Sequence, residues 1–147
     1  VSGVSAATWE YVLARAGYRC EYCHMFGWWL EPDHIIPRSR WLEFGDGPGL
    51  HEAPNLAAAC VSSNKSKWRH VDGVDPLSET RYPLFNPRLA NWKDHFAFTD
   101  DTLEIVGISP MGRATINRLR MNRPPYRQQR RILLLAAGSG AVVWPDE

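Results

Sequence analysis

The sequence is poor in cysteine, nearly neutral in net charge, and without a long apolar run. Three cysteines in 147 residues exclude the disulfide framework of a small secreted domain. The close Cys20/Cys23 pair reads instead as thiols of a reducing compartment, open to a metal. The longest apolar run, 132–137, is far too short to span a bilayer, so no membrane partner is expected. No basic segment leads into an apolar one at the start, which sets a cytoplasmic expectation. A net charge of +1 names no partner by itself.

What is present says more. With 44% hydrophobic and 22% charged residues the chain reads as one folded domain over 1–147. Seven tryptophans suggest a core built on large aromatics, with the Trp28–Trp29 pair read as part of it. Charge is unevenly placed. Seven arginines and no acid lie between Arg113 and Arg131, a candidate phosphate-binding face.

Spacing predicts a helix over 8–16 capped by Thr8, a turn over 18–24, and a strand over 26–30 running into 33–36 before Pro37. The Gly/Pro-rich stretch 38–54 reads as a loop. A brief strand follows over 55–59, then a helix over 62–71 with a hydroxyl cap. Pro76, Pro83 and Pro87 make 72–88 irregular. A hairpin is expected from 96–98 and 103–108, then helices over 110–122 and 124–137. Residues 139–147 carry no strong pattern.

The chemistry concentrates between Cys20 and Lys67. In Asp33-His34 a near-neutral imidazole can take a proton from water, and a carboxylate beside it is a hard oxygen ligand for a divalent ion. Alone, the dipeptide reads as a surface acid beside a half-buried histidine in a turn. Asn55 follows Pro54 where its amide can tie the loop ends together. Asn64 lies in the first turn of a helix, with an amide oxygen able to ligate a metal. Lys67, one turn on, can face the same site and contact a phosphate. His51 reads as a solvated loop residue, His70 as a helix-end residue and His95 as core.

In this order the residues resemble the HNH endonucleases, in particular their bacterial stand-alone members. The matching pieces are Cys20-Glu-Tyr-Cys23, Asp33-His34-Ile-Ile-Pro37, Asn55-Leu56, Ala59-Cys60 and Asn64-Lys-Ser-Lys67. Downstream, Leu84-Phe-Asn-Pro-Arg88, Trp92-Lys-Asp-His95-Phe96, Gly112-Arg-Ala-Thr115 and Met121-Asn-Arg123 extend the resemblance over about 14–135. It implies an α+β fold: a ββα-metal core over about 18–71, with an added β-hairpin and C-terminal helices over about 92–138. It further implies metal-dependent hydrolysis of DNA, leaving 5′-phosphate and 3′-hydroxyl ends. His34 would be the general base, Asn55 a brace for the loop and for His34, and Asp33 and Asn64 the ligands of a catalytic Mg²⁺ or Mn²⁺, with Ni²⁺ an alternative. Lys67, Arg113, Arg118, Arg120 and Arg123 would contact DNA. No small-molecule cofactor is expected, and oligomeric state and sequence specificity are not legible.

The pattern breaks at Ser63, where members with four cysteines carry the fourth. A hydroxyl is a poorer zinc ligand than a thiolate. Three readings stand. Zinc is lost and Cys20, Cys23 and Cys60 pack as small hydrophobes; a three-thiolate site survives, completed by water or His24; or the serine loosens the turn. The rival functional reading is a nucleic-acid-binding module with an idle site, using the basic helices. A zinc-knuckle interaction domain is a weaker third.

Overall fold

Small side chains at the centre set the architecture. The segment Leu56–Cys60 (β2) is buried at every position. Its three alanines let neighbouring elements approach from both faces. In a computed structural model, which describes residues 3–26, 29–47 and 49–138, Leu56 and Ala58 pack on Val12 and Ala16 of the helix Ala6–Arg15 (α1). Ala57 and Ala59, pointing the other way, join the main core with Tyr22, Phe85, Trp92, Phe96 and Leu119. Trp29 packs against that core; Trp28 lies outside the described residues.

Leu30–His34 (β1) pairs antiparallel with β2, from Leu30 opposite Cys60 to His34 opposite Leu56. Pro32 sits mid-strand without breaking the ladder. Its partner Ala58 uses both backbone groups elsewhere, donating to Glu21 Oε2 and accepting from Glu21 N at 2.8 Å each. Pro32 therefore occupies a position where no inter-strand bond is required. Glu21 in turn pairs with Arg88. The strand is shorter than the sequence suggests. Phe26 makes an isolated bridge to Arg19, and part of 26–30 lies outside the described residues.

The loop after β1 contains a short helix, Trp41–Phe44 (α2), and 3-10 turns. Val61–Lys67 (α3) follows β2 without a linker. Its cap is Cys60, whose Sγ accepts from Ser63 N, so a thiol takes the place of the expected hydroxyl. Likewise α1 is capped by Ser5, not Thr8. The predicted helix over 62–71 stops at Lys67, because Trp68 turns into positive φ (47°) and His70 N bonds back to Lys67 O.

The stretch expected to be irregular contains a hairpin, Asp72–Val74 (β3) with Arg81–Pro83 (β4). Its prolines sit where a sheet tolerates them. Pro83 ends β4 opposite Asp72, and Pro76 lies in the connecting turn. Asp75 organises that turn, accepting from Leu77 N and Ser78 Oγ. A second hairpin joins Phe96–Phe98 (β5) to Ile105–Gly107 (β6). Pro110–Leu119 (α4), capped by Ser109, packs on β3, β4, β6 and α3. The approach to β6 is close: a Cβ on Gly107 would sit 2.5 Å from Arg113 N. Pro124–Ala137 (α5) buries Tyr126 and Arg130. Among the described residues the fold is α+β, three two-stranded antiparallel sheets with helices packed around them.

Candidate active site and cysteine cluster

The β1–β2 ladder carries a different chemistry at each end. At the Leu30–Cys60 end, Cys20, Cys23 and Cys60 are buried, with their Sγ atoms all within 4.8 Å of one another. Cys23 N points at Cys20 Sγ and Ser63 N at Cys60 Sγ, both at 3.4 Å. Ser63 Oγ lies 3.2 Å from Cys60 Sγ and Tyr126 Oη 3.8 Å, so two hydroxyls adjoin Cys60. His24 stacks on Trp92 with centroids 4.0 Å apart and is not part of the gathered set. Hydrogen bonds from Cys20, Cys23 and Ser63 push the Cys60 thiol down. Burial pushes Cys20 up, and hydrogen bonding to Cys20 and Cys60, with burial, does the same to Cys23. The cluster can hold a metal ion, since three convergent sulfurs are soft donors that give up their protons when a cation binds. Among the described residues it is the one group of three or more His, Cys, Asp or Glu side chains so placed.

The other end is polar and open. Alternation along β1 puts Glu31 and Asp33 on the face covered by α3, whose Asn64 and Lys67 are one turn apart. Asp33 is 2% exposed and Lys67 1%. Asp33 Oδ2 accepts from Tyr22 Oη at 2.5 Å and Oδ1 from Lys67 Nζ at 3.1 Å. Lys67 Nζ also donates to the carbonyls of His34 and Ile35, each at 3.0 Å. Its three protons are thus used inside the protein, and Lys67 is not the solvent-facing phosphate contact that its sequence position suggested. Asn64 Nδ2 donates to Glu31 Oε1 at 2.7 Å. Glu31, Asp33, His34, Arg38, Asn64 and Trp68 line one cleft of about 330 Å³.

His34 closes the strand at the rim of that cleft. Its Nε2 lies 2.9 Å from His51 Nδ1, and Arg38 Nη2 is 3.4 Å from His51 Nε2. Burial lowers the His34 pKa, the neighbouring His51 lowers it further, and Asp33 raises it. Asn55 ties the ends of the loop together. Its Oδ1 accepts from Ile36 N at 2.9 Å, and its Nδ2 donates to the carbonyls of Ile36 (3.1 Å) and Leu50 (3.0 Å). The loop end it fixes is the one that delivers His51.

The basic segment is less uniform than its sequence. Arg113 makes a two-pronged pair with Asp75 at 2.8 and 3.0 Å, Arg127 pairs with Glu104, and Arg130 is buried, donating to the carbonyls of Leu103 and Met121. Arg113 is therefore committed internally. Arg123 lies over the Tyr126 ring. Arg118 is half-buried, while Arg120 and Arg131 are exposed; these three make no ion pair among the described residues.

Glu31 and Tyr22 were not singled out from the sequence, and His51, read there as a solvated loop residue, bonds to His34. Glu31 was legible in principle, two residues before Asp33 on the same face of a strand. His51 was not, because a histidine in a glycine-rich loop has no local signature of its partner. No protein-family model, no curated protein and no solved structure matches the chain.

Proposed function

We propose that the protein is a metal-dependent endonuclease of the ββα-metal (HNH) type, hydrolysing DNA phosphodiester bonds with His34 as general base. The observation that carries this reading is the cleft: an antiparallel strand pair and the following helix bring a histidine with a lowered pKa, the Glu31 carboxylate and an amide to one small opening, with the Asp33 carboxylate buried beside it.

A lowered pKa keeps His34 neutral at pH 7, as a base must be. With Nε2 held by His51, Nδ1 is the nitrogen left to act. Two proton arrangements satisfy the 2.9 Å contact. When Arg38 donates to His51 Nε2, His51 donates to His34 Nε2, and His34 Nδ1 carries its proton. When Arg38 turns to a phosphate oxygen, the arrangement reverses and His34 Nδ1 becomes the acceptor. His51 is then a positioning residue that sets the tautomer of the base. Water loses a proton to His34 as its oxygen attacks phosphorus, the P–O3′ bond breaks, and the leaving O3′ takes a proton from solvent water, giving 5′-phosphate and 3′-hydroxyl ends. A divalent ion, Mg²⁺ or Mn²⁺, would supply Lewis-acid stabilisation of the leaving oxygen. Asn64 and an acid of β1 would hold it. Asp33 is the acid that the resemblance names, although both its oxygens are already engaged.

The thiol cluster fits Zn²⁺ best among common metals, as a soft three-sulfur set with a hydroxyl from Ser63 beside it. Its role in this reading is structural.

The test incubates supercoiled plasmid with Mg²⁺, Mn²⁺ or Ni²⁺, with and without chelator. Wild type should nick and His34→Ala should not. Equal nicking by both removes His34 as the base. Retained DNA binding without nicking in any metal favours a binding module that uses the exposed arginines.

A further inference from the structure

We infer that Glu31, not Asp33, is the carboxylate that holds a divalent ion in this cleft, and that Asp33 is the fixed counter-ion of Lys67. This deepens the nuclease reading and rests on it only for what the ion is used for.

The two acids differ in what their oxygens are doing. Asp33 is closed on both sides, by Tyr22 Oη on one oxygen and Lys67 Nζ on the other, and is sealed from solvent. For it to ligate an ion, Lys67 would have to leave Asp33 and two carbonyls at once. That would strand an ammonium in the interior, which low-dielectric surroundings oppose. Lys67 already neutralises Asp33, so a dication gains little there.

Glu31 is half-buried at the cleft. Its Oε1 accepts from Asn64 Nδ2 at 2.7 Å, which fixes the two side chains against each other. The same bond leaves Glu31 Oε2 and Asn64 Oδ1 without protein partners among the described residues. These are a carboxylate oxygen and an amide oxygen, the hard donors that Mg²⁺ and Mn²⁺ take, with water filling the remaining positions. The alternation of the strand explains the exchange of roles. Glu31 and Asp33 share a face, and α3 presents Asn64 to the first and Lys67 to the second. Proximity to His34 therefore does not select the ligand; the helix residue opposite does.

The test measures Mn²⁺ binding to the full chain without DNA, by loss of the free-ion electron paramagnetic resonance signal. It uses wild type, Glu31→Gln, and the double variant Asp33→Asn with Lys67→Met, which removes both buried charges together and so avoids an unpaired one. Melting temperature is recorded for each. Glu31→Gln should weaken Mn²⁺ binding by about tenfold or more with little change in melting. The double variant, once folded, should bind Mn²⁺ within about threefold of wild type, the range left by outer-shell changes. Loss of Mn²⁺ binding in the folded double variant with Glu31→Gln unaffected overturns the assignment. So does a wild type that binds no Mn²⁺, or equal binding by all three proteins. The two readings fail separately. Mn²⁺ held through Glu31 without plasmid nicking sinks the nuclease and keeps the site. Nicking by wild type with Mn²⁺ lost only in the double variant does the reverse.

Discussion

The two ends of the β1–β2 ladder differ in how their polar groups are satisfied. At the Cys60 end three sulfurs are drawn together in a sealed pocket, an arrangement that gains most when a cation enters. At the His34 end the buried Asp33 already has its cation in Lys67, and among the described residues Glu31 and Asn64 leave unpartnered oxygens at the cleft. A buried thiol cluster couples metal binding to folding. A buried carboxylate paired with an ammonium is satisfied by the protein itself. In the proposed reading the first end serves stability and the second chemistry.

The largest effect should come from breaking the internal pair on one side. Lys67→Met alone strands a buried carboxylate and should cost about 3–5 kcal/mol of stability, read as a fall in the denaturant midpoint. Adding Asp33→Asn should recover most of that loss. If Lys67→Met is neutral, the polar end is not pre-organised by this pair.

Next comes metal removal. If the cysteine end is the metal-dependent one, stripping the purified protein with a chelator should lower its melting temperature, and Cys60→Ala should abolish that response. Ser63 is fully buried at 3.2 Å from Cys60 Sγ, so Ser63→Cys should tighten zinc binding by completing a four-thiolate set, measured by competition with a chromophoric chelator. No metal bound by wild type would leave the thiols as packing alone.

At the polar end, His34→Ala should cut plasmid nicking by about 10²- to 10⁴-fold, the usual contribution of a general base, while sparing the fold. The pH profile sharpens this. Burial and His51 lower the His34 pKa from 6.5, so the unprotonated base predominates at pH 7. The rate should fall as pH drops through the lowered pKa, with the midpoint of the limb below about 6.5. In His51→Ala the descending limb should move to higher pH, because one of the groups that lower the pKa is removed. A limb that stays in place would deny His51 its positioning role. The smallest effect is expected from charge reversal at Arg120 and Arg131, which should weaken DNA binding and flatten its salt dependence without changing the cleavage rate of bound DNA.

Much of the fold was legible. Helix α1 announces itself by periodicity, the β5–β6 hairpin by its turn residues, the helices behind Pro110 and Pro124 by proline at their first turn, and β2 as a brief strand after Pro54. The β3–β4 hairpin did not, because Pro76 and Pro83 read as breakers and only the turn built by Asp75 and the packing of α4 give them harmless places. The site was legible as a set of residues and not as a set of roles. Lysine at a helix end reads as solvated, yet Lys67 is among the most buried side chains. Its three acceptors lie more than thirty residues back in the chain, and no local pattern reports them. Arg113 was misjudged for the same reason, since Asp75 reaches it from a turn 38 residues upstream.

The most direct test of the central claim is whether nicks made by the protein can be resealed. Supercoiled plasmid treated with the purified chain and Mn²⁺ should be nicked, and DNA ligase alone should close the product, because 5′-phosphate and 3′-hydroxyl ends need no repair; His34→Ala should leave the plasmid intact. Nicking that His34→Ala preserves, nicks that ligase cannot seal, or no nicking at all would contradict the account.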